Sequence, residues 1–172
     1  RFSVKRVTFK SETTAFDANV SEGPIGGYGY PIQKDKKYLD WADIELLVKD
    51  LCSQIWAAGM PFKDVFGLQR GGLIPAVMVS HELNLPMTKG TISSDTLIID
   101  DICDSGVTLD EFYTKHQVDY AFPFNLKTAC LHYKPHTSQF TPTFWSQKIN
   151  TDDWIVYPWE RDDAKTIQDY LI

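Results

Sequence analysis

Apolar side chains recur with helical spacing over residues 40–58, at positions i, i+3, i+4 and i+7. Asp40 can cap the start of this predicted helix and Gly59 can end it. Shorter patterns predict further helices over residues 73–83, 107–115 and 162–172. Apolar runs typical of strands occur at residues 2–9, 64–68, 85–94, 96–101 and 126–132.

Strands that alternate with helices or loops favour an α/β fold. Four such units follow one another, which predicts a Rossmann-like, mostly parallel sheet with helices on both faces. Residues 1–37 fit this pattern poorly and are crowded with Gly and Pro near their end, so we interpret them as an N-terminal extension. Residues 38–172 are predicted to form the main domain.

Charge and composition exclude some classes of partner. The chain has 172 residues, with 23 acidic and 17 basic side chains and a net charge of −6. This argues against a nucleic-acid or anionic-membrane surface, since both need clustered Lys and Arg. No apolar run approaches the roughly 20 residues of a membrane span, so we expect a soluble protein. The three cysteines are scattered and predict free thiols rather than a disulfide framework or a zinc site.

The most informative stretch is 97–108, an apolar run that ends in Asp100 and Asp101 and continues into a small-residue turn. If a helix begins at Val107, the N–H groups of its first turn converge on one point that suits a phosphate monoester. The two aspartates could accept hydrogen bonds from sugar hydroxyls or hold a hard cation. The predicted phosphate cradle consists of Asp104, Ser105, Gly106, Val107 and Thr108.

A second anion site is predicted where the strand over residues 64–68 turns into the helix over residues 73–83. The turn is basic and rich in glycine, since it contains Arg70, Gly71 and Gly72. Its position between a strand and a helix again points backbone donors at a bound anion. By itself this turn is a weak signal, and its value comes from its place before the acidic stretch.

Together these motifs resemble those of the type I phosphoribosyltransferases. Residues 97–108 are similar to the family's signature for 5-phosphoribosyl 1-diphosphate (PRPP). The shared pattern is an aliphatic run followed by Asp-Asp, an aliphatic residue, any residue, Asp, a small residue, Gly, any residue and Thr. Arg70, Gly71 and Gly72 match the family's pyrophosphate loop. The resemblance covers residues 38–160 and implies ligand loops at the carboxyl ends of the strands, with a small C-terminal base-binding hood.

Two further segments resemble the xanthine-guanine and hypoxanthine-guanine members of the family. Lys134 matches a lysine that contacts the exocyclic oxygen of the base. Trp154, Ile155 and Glu160 match the Trp-Ile pair and the acid of the segment that closes the base pocket. We interpret Trp159, within the same segment, as a core residue.

The resemblance implies transfer of ribose 5-phosphate from PRPP to guanine, xanthine or hypoxanthine, with release of pyrophosphate. Asp104 is then the proton acceptor for the base nitrogen, and Arg70 neutralises the leaving group. Asp100 and Asp101 are assigned to the ribose hydroxyls and, with Glu160, to Mg2+. The expected partners are PRPP and a purine base, and we expect a cytoplasmic homo-oligomer.

Two other functions stay open from the sequence. A non-catalytic PRPP or nucleotide sensor could use the same fold, although Asp104 and Arg70, which catalysis requires, are both present. A flavodoxin-like or phosphatase-like protein with Asp100 as nucleophile is weaker, because those chemistries need other residues after the first acid.

The resemblance also implies two backbone features. The family's pyrophosphate loop has a non-proline cis peptide, which corresponds to the bond between Gln69 and Arg70. The family also has a long mobile loop that closes over the reacting centre. Here the loop's place falls at Ser94-Asp95, and the chain begins with Arg1 rather than Met. Two explanations stay open: the protein lacks this loop and is a poor or non-catalytic relative, or the residues of the loop are absent from the sequence. We favour the second explanation and expect Ser94 and Asp95 to lie much farther apart than bonded neighbours.

Overall fold

The computed structural model describes residues 35–88, 90–119 and 125–160. Three helices and six strands lie within these ranges. In chain order they are β1 (Lys36–Tyr38), α1 (Trp41–Ala57), β2 (Asp64–Gly67), α2 (Leu73–Leu83), β3 (Thr96–Cys103), α3 (Val107–Asp119), β4 (Lys127–Tyr133), β5 (Phe144–Lys148) and β6 (Trp154–Val156).

The main sheet has the strand order β2-β3-β4-β5, and all of its neighbouring strands are parallel. Strand β3 is central, pairing Ile98 with Phe66 on one side and with Thr128 on the other. Such a strand is covered on both faces, which explains why its sequence is a continuous apolar run. The predicted α/β fold with a mostly parallel sheet is confirmed.

Helices cover both faces of this sheet. Leu97 and Ile99 of β3 join one apolar cluster with α1 and α2, whereas Ile98 joins a second cluster with Leu109 and Phe112 of α3. Successive side chains of β3 thus pack on opposite faces of the sheet, as the pleat of a strand requires. Fully buried side chains of this kind each contribute about 1.5–3 kcal/mol to folding, so the carboxyl end of β3 is held firmly in place.

The predicted ends of helix α1 are confirmed. Asp40 and Asp43 form a capping box, in which each side chain accepts a hydrogen bond from the other's backbone N–H at 2.9–3.0 Å. At the other end the chain leaves the helix through Gly59, whose φ of 62° lies in the left-handed region that favours glycine.

The predicted strand over residues 85–94 is wrong. Only Met87 forms a bridge to β2, where Val65 donates to the Pro86 carbonyl and Thr88 donates to the Val65 carbonyl. Pro86 cannot donate a hydrogen bond to a neighbouring strand. Gly90, at a φ of 121°, then turns the backbone out of an extended conformation. The segment is an edge contact rather than a strand.

The predicted break between Ser94 and Asp95 is also wrong. The two residues form a continuous turn, in which Thr96 N–H donates to the Ser93 carbonyl at 3.0 Å. The Asp95 carbonyl also accepts from Lys63 N–H at 3.0 Å. The chain therefore enters β3 directly through a tight turn at the position where the resembled family carries its long loop.

A small parallel sheet joins β1 to β6, pairing Lys36 with Trp154 and Lys37 with Ile155. Lys36 and Lys37 thus pair with residues of the predicted main domain. The division into an N-terminal extension over residues 1–37 and a main domain over residues 38–172 stays a prediction. The strand predicted at 2–9 and the helix predicted at 162–172 fall outside the described residues.

Cys52, Cys103 and Cys130 are buried free thiols. No helix in this part of the chain has the length and apolar character needed to cross a membrane.

Candidate active site

The two aspartates of the acidic stretch lie in the second half of strand β3, with only 7% of each residue exposed. Each carboxylate accepts a hydrogen bond from the following backbone N–H, from Asp101 to Asp100 Oδ1 at 3.0 Å and from Ile102 to Asp101 Oδ1 at 2.8 Å. These bonds fix one oxygen of each carboxylate. The other oxygens are the atoms with which a ligand can interact.

Burial makes this diacid electrostatically unfavourable when it is ionised. Burial and the charge of Asp101 raise the pKa of Asp100 well above its ordinary value. Burial and the charge of Glu160 raise the pKa of Asp101 to about 6. Hydroxyl donors or a cation at this place would favour the ionised forms. Two adjacent buried acids with raised pKa values are typical of functional sites.

The turn that contains Arg70, Gly71 and Gly72 packs directly against the diacid. Just before this turn, Leu68 N–H donates a hydrogen bond to the Ile99 carbonyl at 2.8 Å, which continues the pairing of β2 with β3. The peptide between Gln69 and Arg70 is cis, as the resemblance implies. Gly72 then caps the start of α2. This geometry brings the predicted pyrophosphate loop and the predicted ribose-binding acids to the same edge of the sheet.

The predicted phosphate cradle connects β3 to α3, which begins at Val107 as expected. Gly106 has a φ of 76°, and a Cβ atom added there would come within 2.7 Å of the Phe140 backbone nitrogen. Only glycine satisfies both the conformation and the space at this position. The side chains of Ser105 and Thr108 flank it, at the start of a helix whose first-turn N–H groups lack intrahelical acceptors.

Asp104 and Lys134 form an ion pair beside this cradle. Lys134 Nζ lies 3.1 Å from Asp104 Oδ2 and also donates to the Asp153 carbonyl at 2.7 Å. The lysine side chain is 2% exposed, whereas that of Asp104 is 39% exposed. Thr137 Oγ1 lies 2.9 Å from the other carboxylate oxygen, in position to donate to it. The structure thus brings together the predicted proton acceptor and the predicted base-binding lysine.

The predicted base-binding segment is β6. Trp154 is 44% exposed and donates its backbone N–H to the Asp35 carbonyl at 2.7 Å, while Ile155 is buried. Because Lys134 binds the carbonyl of Asp153, this strand is linked to the ion pair with Asp104. Trp159 instead stacks on Tyr157, with ring centroids 4.8 Å apart, and packs on the apolar core as expected.

The predicted metal ligands are only partly brought together. Glu160 Oε2 accepts the Tyr157 backbone N–H at 3.1 Å, and the carboxylate is close enough to raise the pKa of Asp101. No group of three or more His, Cys, Asp or Glu side chains in the described part of the chain is arranged to hold a metal ion. Asp100, Asp101 and Glu160 therefore do not form a ready three-ligand set, since Glu160 is held by the backbone of its own turn.

Sequence reasoning missed several residues that support the site. Thr137 binds Asp104, the Asp35 carbonyl binds the base segment, and Tyr157 and His132 lie behind Asp101. Thr137 follows a predicted site lysine by three residues, which is a weak signal. The other contacts join distant parts of the chain and have no local pattern.

No family model matches the chain. The xanthine-guanine phosphoribosyltransferase of Cereibacter sphaeroides is 28% identical over 125 residues, covering 58% of this chain and 70% of that protein. The enzyme of the same name from Gluconobacter oxydans is 25% identical over 146 residues, covering 70% and 82%. The crystal structure of a purine phosphoribosyltransferase from Pyrococcus horikoshii matches with a TM-score of 0.63 and 28% identity, covering 77% of this chain and 99% of that one.

These similarities support assignment of the chain to the type I phosphoribosyltransferase family. They likewise support an enzyme of the phosphoribosyltransferase class. The fold predicted for this phosphoribosyltransferase domain, a parallel sheet with its site at the carboxyl ends of the strands, agrees with the structural match. The assignments of individual residues rest on their positions in the sequence and on the geometry described above.

Proposed function

We propose that this phosphoribosyltransferase is a purine phosphoribosyltransferase that transfers ribose 5-phosphate from PRPP to guanine, xanthine or hypoxanthine. The observation that carries the proposal is the ion pair of Lys134 and Asp104, bonded to the backbone just before Trp154. A positive donor, a carboxylate acceptor and an aromatic face thus lie together beside a phosphate cradle. These are the groups that a 6-oxopurine needs for its exocyclic oxygen, its imidazole nitrogen and its ring face.

On the PRPP side, we assign the 5-phosphate to the loop from Asp104 to Thr108 and the start of α3. The pyrophosphate is assigned to Arg70, Gly71 and Gly72, where a guanidinium and backbone donors neutralise charge as the leaving group departs. Asp100 and Asp101 accept from the ribose hydroxyls. The close packing of the glycine turn on Asp101 supports simultaneous contact with both parts of one ligand.

On the base side, Lys134 donates to the exocyclic oxygen and Trp154 stacks on the ring, with Ile155 supporting the strand from within the core. Asp104 accepts the proton that the base nitrogen loses when it bonds to the ribose. Its hydrogen bonds with Thr137 and Lys134 keep the carboxylate oriented before the base arrives.

The residues at the diacid fit Mg2+. Asp100 and Asp101 are two buried side chains that offer oxygen ligands, and burial, followed by the charge of a neighbouring acid, raises the pKa of each. Mg2+ commonly binds through one or two carboxylates together with substrate phosphates, so a ready three-ligand set is not needed. Asp100 and Asp101 would hold the ion, with Glu160 as an acidic neighbour. Bound there, Mg2+ would neutralise charge on the pyrophosphate.

The direct test supplies the purified protein with PRPP, Mg2+ and each base in turn. Pyrophosphate release that depends on guanine, xanthine or hypoxanthine, and not on adenine or a pyrimidine, is the expected result. Formation of the nucleoside monophosphate should equal pyrophosphate release. Turnover with orotate or uracil alone would contradict the purine assignment.

One observation favours the alternative of a non-catalytic PRPP or nucleotide sensor. The tight turn at Ser94-Asp95 occupies the position where the resembled family carries a closing loop. In the same assay, a sensor would bind Mg-PRPP or a purine nucleotide without turnover of any base. Isothermal titration beside the turnover assay separates the two functions. The cytoplasmic location and the homo-oligomeric state stay predictions, and size-exclusion chromatography with light scattering tests the latter.

A further inference from the structure

Tyr157 lies behind the diacid and is bonded to it. Its ring is 2% exposed, and its Oη donates to the Asp101 carbonyl at 3.0 Å across 56 residues of chain. On its other side, Oη lies 2.7 Å from Nδ1 of His132, a fully buried residue of β4. Three elements, β3, β4 and the segment after β6, meet in this hydrogen-bond chain.

The donor and the acceptor in each of these hydrogen bonds follow from the number of hydrogens available. A tyrosine hydroxyl has one hydrogen, and here it goes to a carbonyl that can only accept. His132 Nδ1 must therefore carry a hydrogen and donate it to Tyr157 Oη. Nε2 then carries a lone pair, and this buried atom has no partner at hydrogen-bonding geometry among the described residues, although the Gln147 side chain is near enough to raise the pKa of His132 against the effect of burial. Burial lowers the pKa of His132 to about 4, which keeps this neutral tautomer. Only one arrangement of the protons satisfies both bonds.

The bonded carbonyl belongs to the same peptide plane as the N–H that holds the Asp101 side chain. The C=O of Asp101 accepts from Tyr157, and the N–H of Ile102, across the same planar peptide, donates to Asp101 Oδ1 at 2.8 Å. A rotation of this plane would move both groups together. The hydroxyl of Tyr157 thus restrains the orientation of a carboxylate that it does not touch.

We propose that Tyr157, oriented by His132, is a positioning residue that fixes the Asp101 carboxylate for PRPP through the peptide between Asp101 and Ile102. The part of this inference that concerns PRPP rests on the proposed function. Because Tyr157 directly follows β6, the bond also ties the base-binding segment to the ribose-binding end of β3.

The ring of Tyr157 is held independently of its hydroxyl. It stacks on Trp159 with an interplanar angle of 13° and belongs to the main apolar cluster. Phenylalanine should occupy the same place, so Tyr157→Phe removes the bond and little else. Tyr133→Phe is the matched control, since it removes another buried tyrosine hydroxyl, bonded to Thr141 Oγ1 at 3.3 Å and away from Asp101.

The first measurement needs no ligand. Hydrogen exchange by mass spectrometry should show faster exchange in Tyr157→Phe than in Tyr133→Phe for the peptide that contains Asp101 and Ile102. Equal exchange in the two variants would overturn the inference, whatever the activity of the protein. Faster exchange in a protein that binds no PRPP would keep the restraint on Asp101 and would refute the proposed function instead.

The second measurement is the affinity for Mg-PRPP by isothermal titration. Tyr157→Phe should weaken it about tenfold, the equivalent of one hydrogen bond of typical strength, while the Kd for a purine base analogue changes less than twofold. Tyr133→Phe should leave both affinities unchanged. Equal losses for PRPP and base would indicate general loosening and would contradict a positioning role.

A pair of variants at His132 tests its orienting bond without altering Tyr157. Asparagine can place an N–H near the position of Nδ1, whereas leucine of similar size cannot. His132→Asn should therefore bind Mg-PRPP more tightly than His132→Leu. The same affinity in both variants would remove His132 from the proposal.

Discussion

Gly71 lies against the carboxylate of Asp101, so closely that a Cβ atom added to the glycine would be 2.5 Å from Asp101 Cγ. The two residues come from separate motifs, a glycine turn after β2 and an acidic pair at the end of β3. Their contact joins the proposed pyrophosphate site and the proposed ribose site into one surface. In PRPP the pyrophosphate is attached to the carbon next to one that carries a ribose hydroxyl, so a ligand of this kind could contact both sites at once.

The first prediction concerns this contact. Gly71→Ala should push the Asp101 carboxylate aside, because the new methyl group would overlap the atoms of that side chain. We expect at least a tenfold rise in the KM for PRPP, measured by pyrophosphate release. Gly59→Asn is the control, since asparagine tolerates a positive φ and a Cβ at Gly59 meets nothing within 4 Å. An unchanged KM in Gly71→Ala would show that the turn yields and that this packing is unimportant.

The second prediction concerns the proton acceptor. Asp104→Asn should lower kcat by about two to four orders of magnitude, the usual contribution of a general base, while PRPP binding persists. The amide oxygen can still accept from buried Lys134, so the fold should be retained. Thr137→Val, which removes the hydroxyl beside Asp104 Oδ1, should give a smaller loss. Near-normal turnover in Asp104→Asn would remove Asp104 from the mechanism.

The third prediction concerns base stacking. We propose that the exposed ring of Trp154 is the stacking face for the base, so Trp154→Ala should weaken the binding of purine bases and nucleoside monophosphates more than the binding of PRPP. Trp56→Ala, at an 80% exposed tryptophan of α1, is the matched control and should change neither. Fluorescence titration with a nucleoside monophosphate and with PRPP gives the two affinities. Equal losses for both ligands would mean that Trp154 supports the fold.

Much of the fold could be predicted from the sequence because its elements have strong local patterns. The continuous apolar run of β3, the capped periodicity of α1 and the turn before α3 each report a local preference, and all three are confirmed. Strand β1 could not be predicted, since three residues that pair with a strand more than a hundred positions away carry no period. The segment after α2 looked like a strand by composition, but Pro86 and Gly90 prevent regular pairing.

The candidate site likewise contains residues that local motifs predict and residues that only distant contacts reveal. Arg70, Asp104 and Lys134 could be proposed from short motifs, and the structure brings Asp104 and Lys134 into contact. Tyr157 could not be proposed, because its role depends on a hydrogen bond to a carbonyl 56 residues earlier. The predicted gap at Ser94-Asp95 failed for a related reason. It was inferred from a feature of the family, whereas the chain's own turn is complete.

The last prediction concerns pH. In the unfolded chain the Asp101 carboxyl titrates near its ordinary pKa of about 4, whereas in the ligand-free fold its pKa is about 6. Between these values the folded state binds the proton more tightly, so the contribution of Asp101 to stability is lost as the pH rises through this window. His132 acts in the opposite sense, because its lowered pKa of about 4 makes stability fall as the pH drops below 6.5.

Asp101→Asn separates the two contributions, since His132 is common to both proteins and cancels in their difference. The difference also contains the part of the raised pKa of Asp100 that the charge of Asp101 causes, which acts in the same direction. Without Mg2+ or PRPP, the free energy of unfolding of the variant minus that of the parent should rise by about 1–3 kcal/mol between pH 4 and pH 7. Urea denaturation at intervals of one pH unit measures this difference, with exposed Asp95→Asn as the control for a carboxyl-to-amide change. A difference that stays level, or falls, would show that the Asp101 carboxylate is already stabilised in the ligand-free fold. A rise that disappears on adding Mg-PRPP would indicate that the ligand supplies the missing positive charge and hydroxyl donors at this diacid.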